Sequence, residues 1–321
     1  MKIDVHAHFY PKSYAEQVKP FFEKDDSPAG RDVQRILAWV GGEPKMWSEE
    51  QRLEDMSRLG IDTQVLSVSV PNVYLPDRSA AVELCQSAND HLIDLAKRHP
   101  DKFRVFASLP LHYPEEAARE LDRVAGLPEV VGVVLGARVA GRMLDDAAFL
   151  PIYGELERRG VPIFLHPMGA LGDECMMDFG LSNMAGYLFE TTTSVLRLVF
   201  AGVFERHPNL TLIFPHLGGV APYMLGRAQW SYERFPANSE HITSPPLEYF
   251  KRFYYDTVSR NVPALKMALE MFGIGHILFG TDYPFREDVV PQIQDITDLK
   301  LAEEDAEGVF SRNAAKLLGL T

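Results

Sequence analysis

The feature that most limits how this chain can fold is a regular alternation of short β-branched or apolar runs with longer helical patterns. Runs at 2–6, 63–68, 104–107, 130–135, 162–166, 211–215, 252–256 and 275–280 have the length and composition of strands. Helical patterns occupy 48–59, 78–99, 114–125, 147–159, 189–206, 219–230 and 260–272, with two more at 289–296 and 302–318. A parallel neighbour needs a crossover connection, so strand–helix alternation specifies parallel βαβ units. Eight such runs in one chain predict an α/β fold of the closed (β/α)8 TIM-barrel type rather than an open sheet. With 321 residues, 46% hydrophobic and 24% charged, the composition is that of an ordinary globular protein. The whole span 1–321 is expected to form one barrel domain.

Two stretches interrupt the alternation and distort the expected barrel. Residues 20–47 are rich in Gly, Pro and charge, with an apolar patch at Ile36, Leu37 and Trp39, and read as a lid-like insertion. Residues 167–188 are rich in Gly and Met and read as a loop. Both follow strands, so both belong at the C-terminal face, where long loops form lids and substrate walls. The net charge of −13 argues against nucleic acid and anionic membrane as partners. Cys85 and Cys175 are far apart and belong to no CxxC motif, the pattern of reduced thiols in a cytoplasmic protein. The opening MKIDVHAHFYP reads as a strand, not a leader, and no apolar run is long enough to cross a membrane.

Four strand ends carry the same chemistry. His6-Ala7-His8 closes the first run, and alternation puts both imidazoles on one face. Ile163-Phe164-Leu165-His166 ends the fifth run, Leu212-Ile213-Phe214-Pro215-His216 ends the sixth, and Ile277-Leu278-Phe279-Gly280-Thr281-Asp282 ends the eighth. A histidine at a strand end is by itself most often a hydrogen-bonded structural residue, and Asp282 could merely shape the Thr-Asp-Tyr-Pro turn. Four such endings on one barrel face, where this fold carries its catalytic groups, form a joint signal for a divalent-metal site with an open position for water or substrate. Imidazole and carboxylate suit Zn²⁺ or Mn²⁺ better than Ca²⁺ or Mg²⁺. The remaining histidines, His91, His99, His112, His207, His241 and His276, lie on helices, in loops or at a strand start and read as structural.

With these residues in view, the chain resembles the amidohydrolase superfamily, in the branch typified by 2-amino-3-carboxymuconate-6-semialdehyde decarboxylase and the aromatic-acid decarboxylases. The similarity runs over nearly the whole chain: Met1–His8, the 111–144 region, Phe164-Leu165-His166-Pro167, Glu190-Thr191-Thr192 leading to Gly202-Val203-Phe204-Glu205, His216-Leu217-Gly218-Gly219, Gly226-Arg227, Leu278–Phe285 and Asn313-Ala314-Ala315. The resemblance implies that His6, His8, His166 and Asp282 are ligands of one divalent metal. It implies that His216 is an acid/base beside the ion. It also implies that Arg227 reaches into a neighbouring subunit's site to hold a substrate carboxylate, which makes the active unit a homodimer. Where the branch carries a second carboxylate-binding arginine, this chain reads Trp39–Met46 without one, and only Arg31 and Arg35 stand nearby. That departure points away from the semialdehyde and toward aromatic acids. Relatives with Glu-x-His use Mn²⁺, so the His-x-His here favours Zn²⁺.

The function so implied is metal-dependent, non-oxidative decarboxylation of a small unsaturated or aromatic carboxylic acid. His216 or Asp282, the latter also a ligand, relays the proton to carbon, and Arg227 neutralises substrate charge. The same ligand set would serve hydrolysis of a lactone or amide by metal-activated water, or hydration of an unsaturated acid. A non-catalytic metal scaffold would need neither His216 nor an open ligand position. Aromatic residues for a flat pocket are Phe9, Tyr10, Trp39, Trp47, Tyr74, Phe179, Tyr283 and Phe285.

Overall fold

A computed structural model of the chain describes residues 1–169, 173–286 and 288–320. Eight parallel strands hydrogen-bond in sequence order. They are β1 Ile3–His8, β2 Thr63–Ser67, β3 Phe103–Ser108, β4 Val130–Gly136, β5 Ile163–His166, β6 Leu212–Phe214, β7 Tyr254–Asp256 and β8 Ile277–Leu278. The ring is completed beyond β8, where Val5 N donates to Phe279 O at 2.9 Å and His8 N to Tyr283 O at 2.7 Å. The principal helices are α1 Tyr14–Phe22, α2 Pro28–Gly42, α3 Glu49–Leu59, α4 Arg78–Arg98, α5 Pro114–Val124, α6 Leu150–Arg159, α7 Tyr187–Phe200, α8 Ala221–Arg234, α9 Val262–Phe272 and α10 Val290–Thr297. The expected (β/α)8 barrel is the fold.

Local signals place these elements. Asp77 caps α4 by accepting from Ala80 N at 2.8 Å, and Asn261 caps α9 by accepting from Ala264 N at 3.2 Å. Gly60, at φ +65°, ends α3 in the left-handed conformation that favours glycine. The barrel interior is closed by Val5, Val65, Phe106, Val134, Phe164, Ile213 and Leu278, all fully buried and each from a different strand. Phe106 stacks on Phe164 with ring centres 5.2 Å apart. Gly132 makes room for this pair, since a Cβ there would come within 2.9 Å of the Phe106 ring. The His6 ring rests edge-on against Phe164 at 4.8 Å, so the floor of the histidine cluster is the top of this plug.

The stretch 20–47 is not a loop. It holds the end of α1, all of α2 and a short 3-10 turn at Pro44–Met46. Val33, Ile36, Leu37 and Val40 recur at helical spacing and are buried. Ser27 caps the helix by accepting from Gly30 N at 3.0 Å. The 167–188 stretch is irregular as expected, with short 3-10 and π turns from Asp173 to Gly186; residues 170–172 lie outside the described residues. The 189–206 pattern divides at Gly202, φ +70°, into α7 and a short turn, and the 302–318 helix is interrupted by a π turn at Gly308–Arg312. A two-stranded antiparallel ribbon, Arg138–Val139 with Arg142–Met143, had no counterpart in the sequence reading. Among the described residues no helix is long and apolar enough to cross a membrane.

Candidate metal centre and active site

Because the strands are parallel, their C-terminal ends lie on one face. His6 and His8 stand at the end of β1 and His166 ends β5. His216 and Asp282 follow β6 and β8 on backbone of positive φ, +53° and +61°. Such conformations are strained for residues other than glycine and persist only where surroundings hold them. His216 begins a left-handed run through Leu217, Gly218 and Gly219. Glycine is required at its end: a Cβ on Gly219 would lie 2.6 Å from Leu188 O, and one on Gly218 would lie 2.9 Å from the Tyr255 ring. This turn aims the His216 side chain back over the barrel mouth.

The structure brings His6, His8, His166 and Asp282 together, with one ligand-type atom from each all within 4.8 Å of one another. His6 Nε2 and His8 Nε2 are 3.1 Å apart, and Asp282 Oδ1 lies 3.3 Å and 3.2 Å from them. Nitrogens facing each other at that distance need a proton or a cation between them. The other ring nitrogens are engaged outside the cluster: His6 Nδ1 donates to Asp256 Oδ2 at 2.6 Å and His166 Nδ1 to Pro167 O at 2.8 Å. His8 Nδ1 lies 3.1 Å from Ser67 Oγ. Such outward bonds fix each tautomer and turn the Nε2 lone pair toward a common point, the usual arrangement around a protein-bound metal.

The electrostatics agree with that geometry. Burial pulls the His6 imidazole down, but the Asp256 and Asp282 carboxylates outweigh it and raise it to about 10. Burial takes His8 down to about 4 in spite of Asp282. Burial, then the charge of neighbouring histidines, holds His166 well below the usual range. Burial opposes ionisation of Asp282, yet His6, His216 and His8 keep it well below the usual carboxylate range. The cluster thus offers two neutral imidazoles, one ionised carboxylate and one imidazole made cationic only by its acidic neighbours. A divalent ion supplies that positive charge in place of the proton. The donor set therefore fits a divalent metal.

His216 stands beside the cluster rather than within it. Its Nε2 is 3.7 Å from Asp282 Oδ2, the oxygen turned away from His6 and His8, and its buried Nδ1 has no hydrogen-bond partner among the described residues. Arg286 approaches the same Oδ2 at 3.8 Å. His216 and Asp282 line both of two neighbouring spaces. An inner pocket of about 290 Å³ is walled by Trp39, Phe285, Ile36 and Val70, with Arg35, Ser69 and His166 also on its surface. An outer chamber of about 860 Å³ is lined by Arg227, Arg286, Phe179 and Tyr223, among others. Arg227 is exposed on α8 and lines the chamber of its own chain.

The aromatic residues divide. Trp39 and Phe285 meet edge to face at 5.2 Å in the inner pocket, whereas Phe9, Tyr10, Tyr74 and Tyr283 are core residues. An arginine does face the inner pocket. Arg35 and Trp39 are four residues apart on α2 and so share a face, which a loop reading of 20–47 could not reveal. Asp256 was also missed, although Tyr254-Tyr255-Asp256 ends β7 just as the other site residues end theirs. Its second oxygen accepts from Leu217 N at 3.2 Å and Val258 N at 3.0 Å, tying the His216 turn to His6. Asp256→Asn is expected to weaken metal binding about 10- to 100-fold with little change in fold, as loss of such an outer partner does. Competition with a chromogenic chelator measures this.

The amidohydrolase family profile matches residues 3–320. The 2-amino-3-carboxymuconate-6-semialdehyde decarboxylase of Dictyostelium discoideum is 30% identical, over 100% of this chain and 92% of that protein. The gamma-resorcylate decarboxylase of Rhizobium radiobacter is 32% identical, over 85% of this chain and 87% of its own. The crystal structure of 5-carboxyvanillate decarboxylase from Sphingomonas paucimobilis superposes with a TM-score of 0.91 at 25% identity, covering 100% of this chain and 99% of that one. The profile spans the barrel from β1 to the C-terminal helices and includes every strand end that carries a site residue, and on that ground the chain belongs to the amidohydrolase family.

Proposed function

We propose that this protein is a metal-dependent, non-oxidative decarboxylase of a small aromatic carboxylic acid, acting in the inner pocket. The observation that carries the reading is the pocket itself: a space walled on one side by the packed Trp39–Phe285 pair, with His166, His216 and Asp282 also on its surface. Its volume of about 290 Å³ suits a single-ring ligand. The relatives similar to this chain are decarboxylases by name, and two are named for aromatic acids. We propose His6, His8, His166 and Asp282 as ligands of one Zn²⁺, with Mn²⁺ as the competing metal, in a single barrel domain of a cytoplasmic protein.

When bound, the ion supplies Lewis-acid stabilisation of negative charge on substrate oxygens. The reaction breaks the bond between ring carbon and carboxylate, leaves its electron pair on the ring carbon, releases CO₂ and adds one proton to that carbon. Asp282 holds its Oδ1 toward His6 and His8 and its Oδ2 toward His216, so the ligating carboxylate stays ionised and His216 carries the proton. Trp39 and Phe285 hold the ring and exclude water. Arg35 faces the pocket and provides a cation for the substrate carboxylate; its removal in Arg35→Ala is expected to raise KM about tenfold with a smaller change in kcat, the loss of one charge-assisted hydrogen bond.

Arg227 is proposed to act across a homodimer. Tyr223 and Trp230, 87% and 53% exposed, flank it on α8 and offer apolar surface for a second copy. Mixing an Arg227→Ala chain with a His216→Asn chain is expected to recover activity, because one site of the mixed dimer then holds both groups. No recovery would place Arg227 in its own chain's site.

The function is tested by measuring CO₂ release from a panel of hydroxybenzoates, with lactones in parallel. Activity is expected to disappear on chelation and return with Zn²⁺ or Mn²⁺. Lactone hydrolysis without CO₂ release from any acid would overturn the proposal.

A further inference from the structure

Arg52 is the largest fully buried side chain among the described residues. It stands on α3 beneath the metal cluster, and no carboxylate of the described residues lies within ion-pair distance of it. Its Nη2 donates to His8 O at 2.6 Å and to Lys45 O at 3.2 Å, and its Nη1 to Gln64 Oε1 at 3.0 Å. Its Nε is buried without a hydrogen-bond partner among the described residues. The Tyr283 and Phe9 rings cover the guanidinium, with their centres 4.5 Å and 5.1 Å from Cζ. Burying an arginine in this way is expensive, and an apolar side chain of similar length would fill the space without that cost. Packing alone does not account for it.

The contacts of Arg52 lead to three of the proposed ligands. Gln64 passes the link to Asp4, donating from Nε2 to Oδ2 at 2.9 Å. Asp4 is fully buried and accepts from His6 N at 3.1 Å, Thr281 N at 3.0 Å and Thr281 Oγ1 at 2.7 Å. On the other flank of Asp282, Tyr283 packs on Arg52 and donates its hydroxyl to Asp55. Asp282 itself, at φ +61°, donates its amide to His6 O at 2.7 Å. The array thus grips the His8 carbonyl, the His6 amide and both neighbours of the strained Asp282. A strained residue keeps its conformation only when its surroundings over-determine it.

We infer that Arg52, acting through Gln64 and Asp4, is a positioning residue that holds His6, His8 and Asp282 at the spacing a divalent ion requires. This rests on the metal-centre reading. The test is Zn²⁺ affinity by chelator competition, with the melting temperature and circular dichroism followed in parallel. Arg52→Met is expected to fold with a melting temperature near that of the wild type, since relief of the buried charge is offset by the His8, Lys45 and Gln64 acceptors losing their donor. It is expected to bind Zn²⁺ at least about tenfold more weakly, in the range seen when outer supports of metal ligands are lost. kcat should fall and KM should not. Arg52→Lys should recover part of the affinity, because an ammonium can still donate to the His8 carbonyl. Gln64→Leu leaves Arg52 in place and cuts the link to Asp4, so it should weaken binding as well; it carries the test if Arg52→Met does not fold. Folded variants that hold Zn²⁺ within twofold of wild type would overturn the assignment. A wild-type chain that takes up no transition metal overturns the metal centre instead.

Discussion

The His216→Asn enzyme is expected to keep its metal and lose its turnover. Asparagine adopts positive φ more readily than most residues, so the left-handed run at 216–219 keeps its shape. The four proposed ligands are untouched, and metal content by elemental analysis should equal that of the wild type. What disappears is an imidazole that faces both cavities without entering the cluster, with Nε2 near Asp282 Oδ2 and Nδ1 without a hydrogen-bond partner among the described residues. General acid–base groups contribute about 10²- to 10⁴-fold. We expect kcat to fall at least about a thousandfold, equivalent to about 4 kcal/mol of barrier, with KM little changed. Retention of more than a tenth of wild-type kcat would remove His216 from the chemistry. Loss of metal in parallel would mean that His216 is a ligand rather than a proton carrier.

Much of this could be read in the sequence, and the parts that could not share a physical cause. The eight strands were legible because each is a short apolar run bounded by turn residues. Their ends were less so: β8 covers only Ile277–Leu278 of the expected 275–280, and beyond it Phe279 and Tyr283 bond to β1 on either side of Asp282 at positive φ. His6, His8, His166 and Asp282 were legible because strand alternation and the common direction of the strands dictate where such side chains meet. In the sequence Arg35 stands only as an arginine near the start of an insertion, since glycine and proline mask the helical spacing of Val33, Ile36, Leu37 and Val40. Arg52 was invisible for another reason. The α3 sequence Glu49–Leu59 is crowded with charge and reads as a solvated face, yet Arg52 and Asp55 point inward and only the tertiary packing of Phe9 and Tyr283 reveals it. Local pattern reports which side chains share a face, and only the assembled barrel reports which face is the site.

Asp282→Asn separates the two duties assigned to one carboxylate. The replacement is nearly isosteric and tolerates φ +61°, so the bonds from Asp282 N to His6 O and from Thr281 to Asp4 should survive and the fold with them. The loss is charge. Oδ1 no longer offers an anion between the His6 and His8 nitrogens, and Oδ2 no longer faces His216 as a counter-charge. Outer partners of metal ligands are worth about 10- to 100-fold in affinity, so removal of a direct anionic ligand should weaken Zn²⁺ binding by more than about a hundredfold. Saturating metal should not restore turnover, because the proton carrier has lost its partner. If His216 and Asp282 act as a unit, the double variant His216→Asn with Asp282→Asn should be no slower than Asp282→Asn alone. Full multiplication of the two losses would show that the residues act independently, and recovery of wild-type kcat at saturating Zn²⁺ would reduce Asp282 to a ligand only.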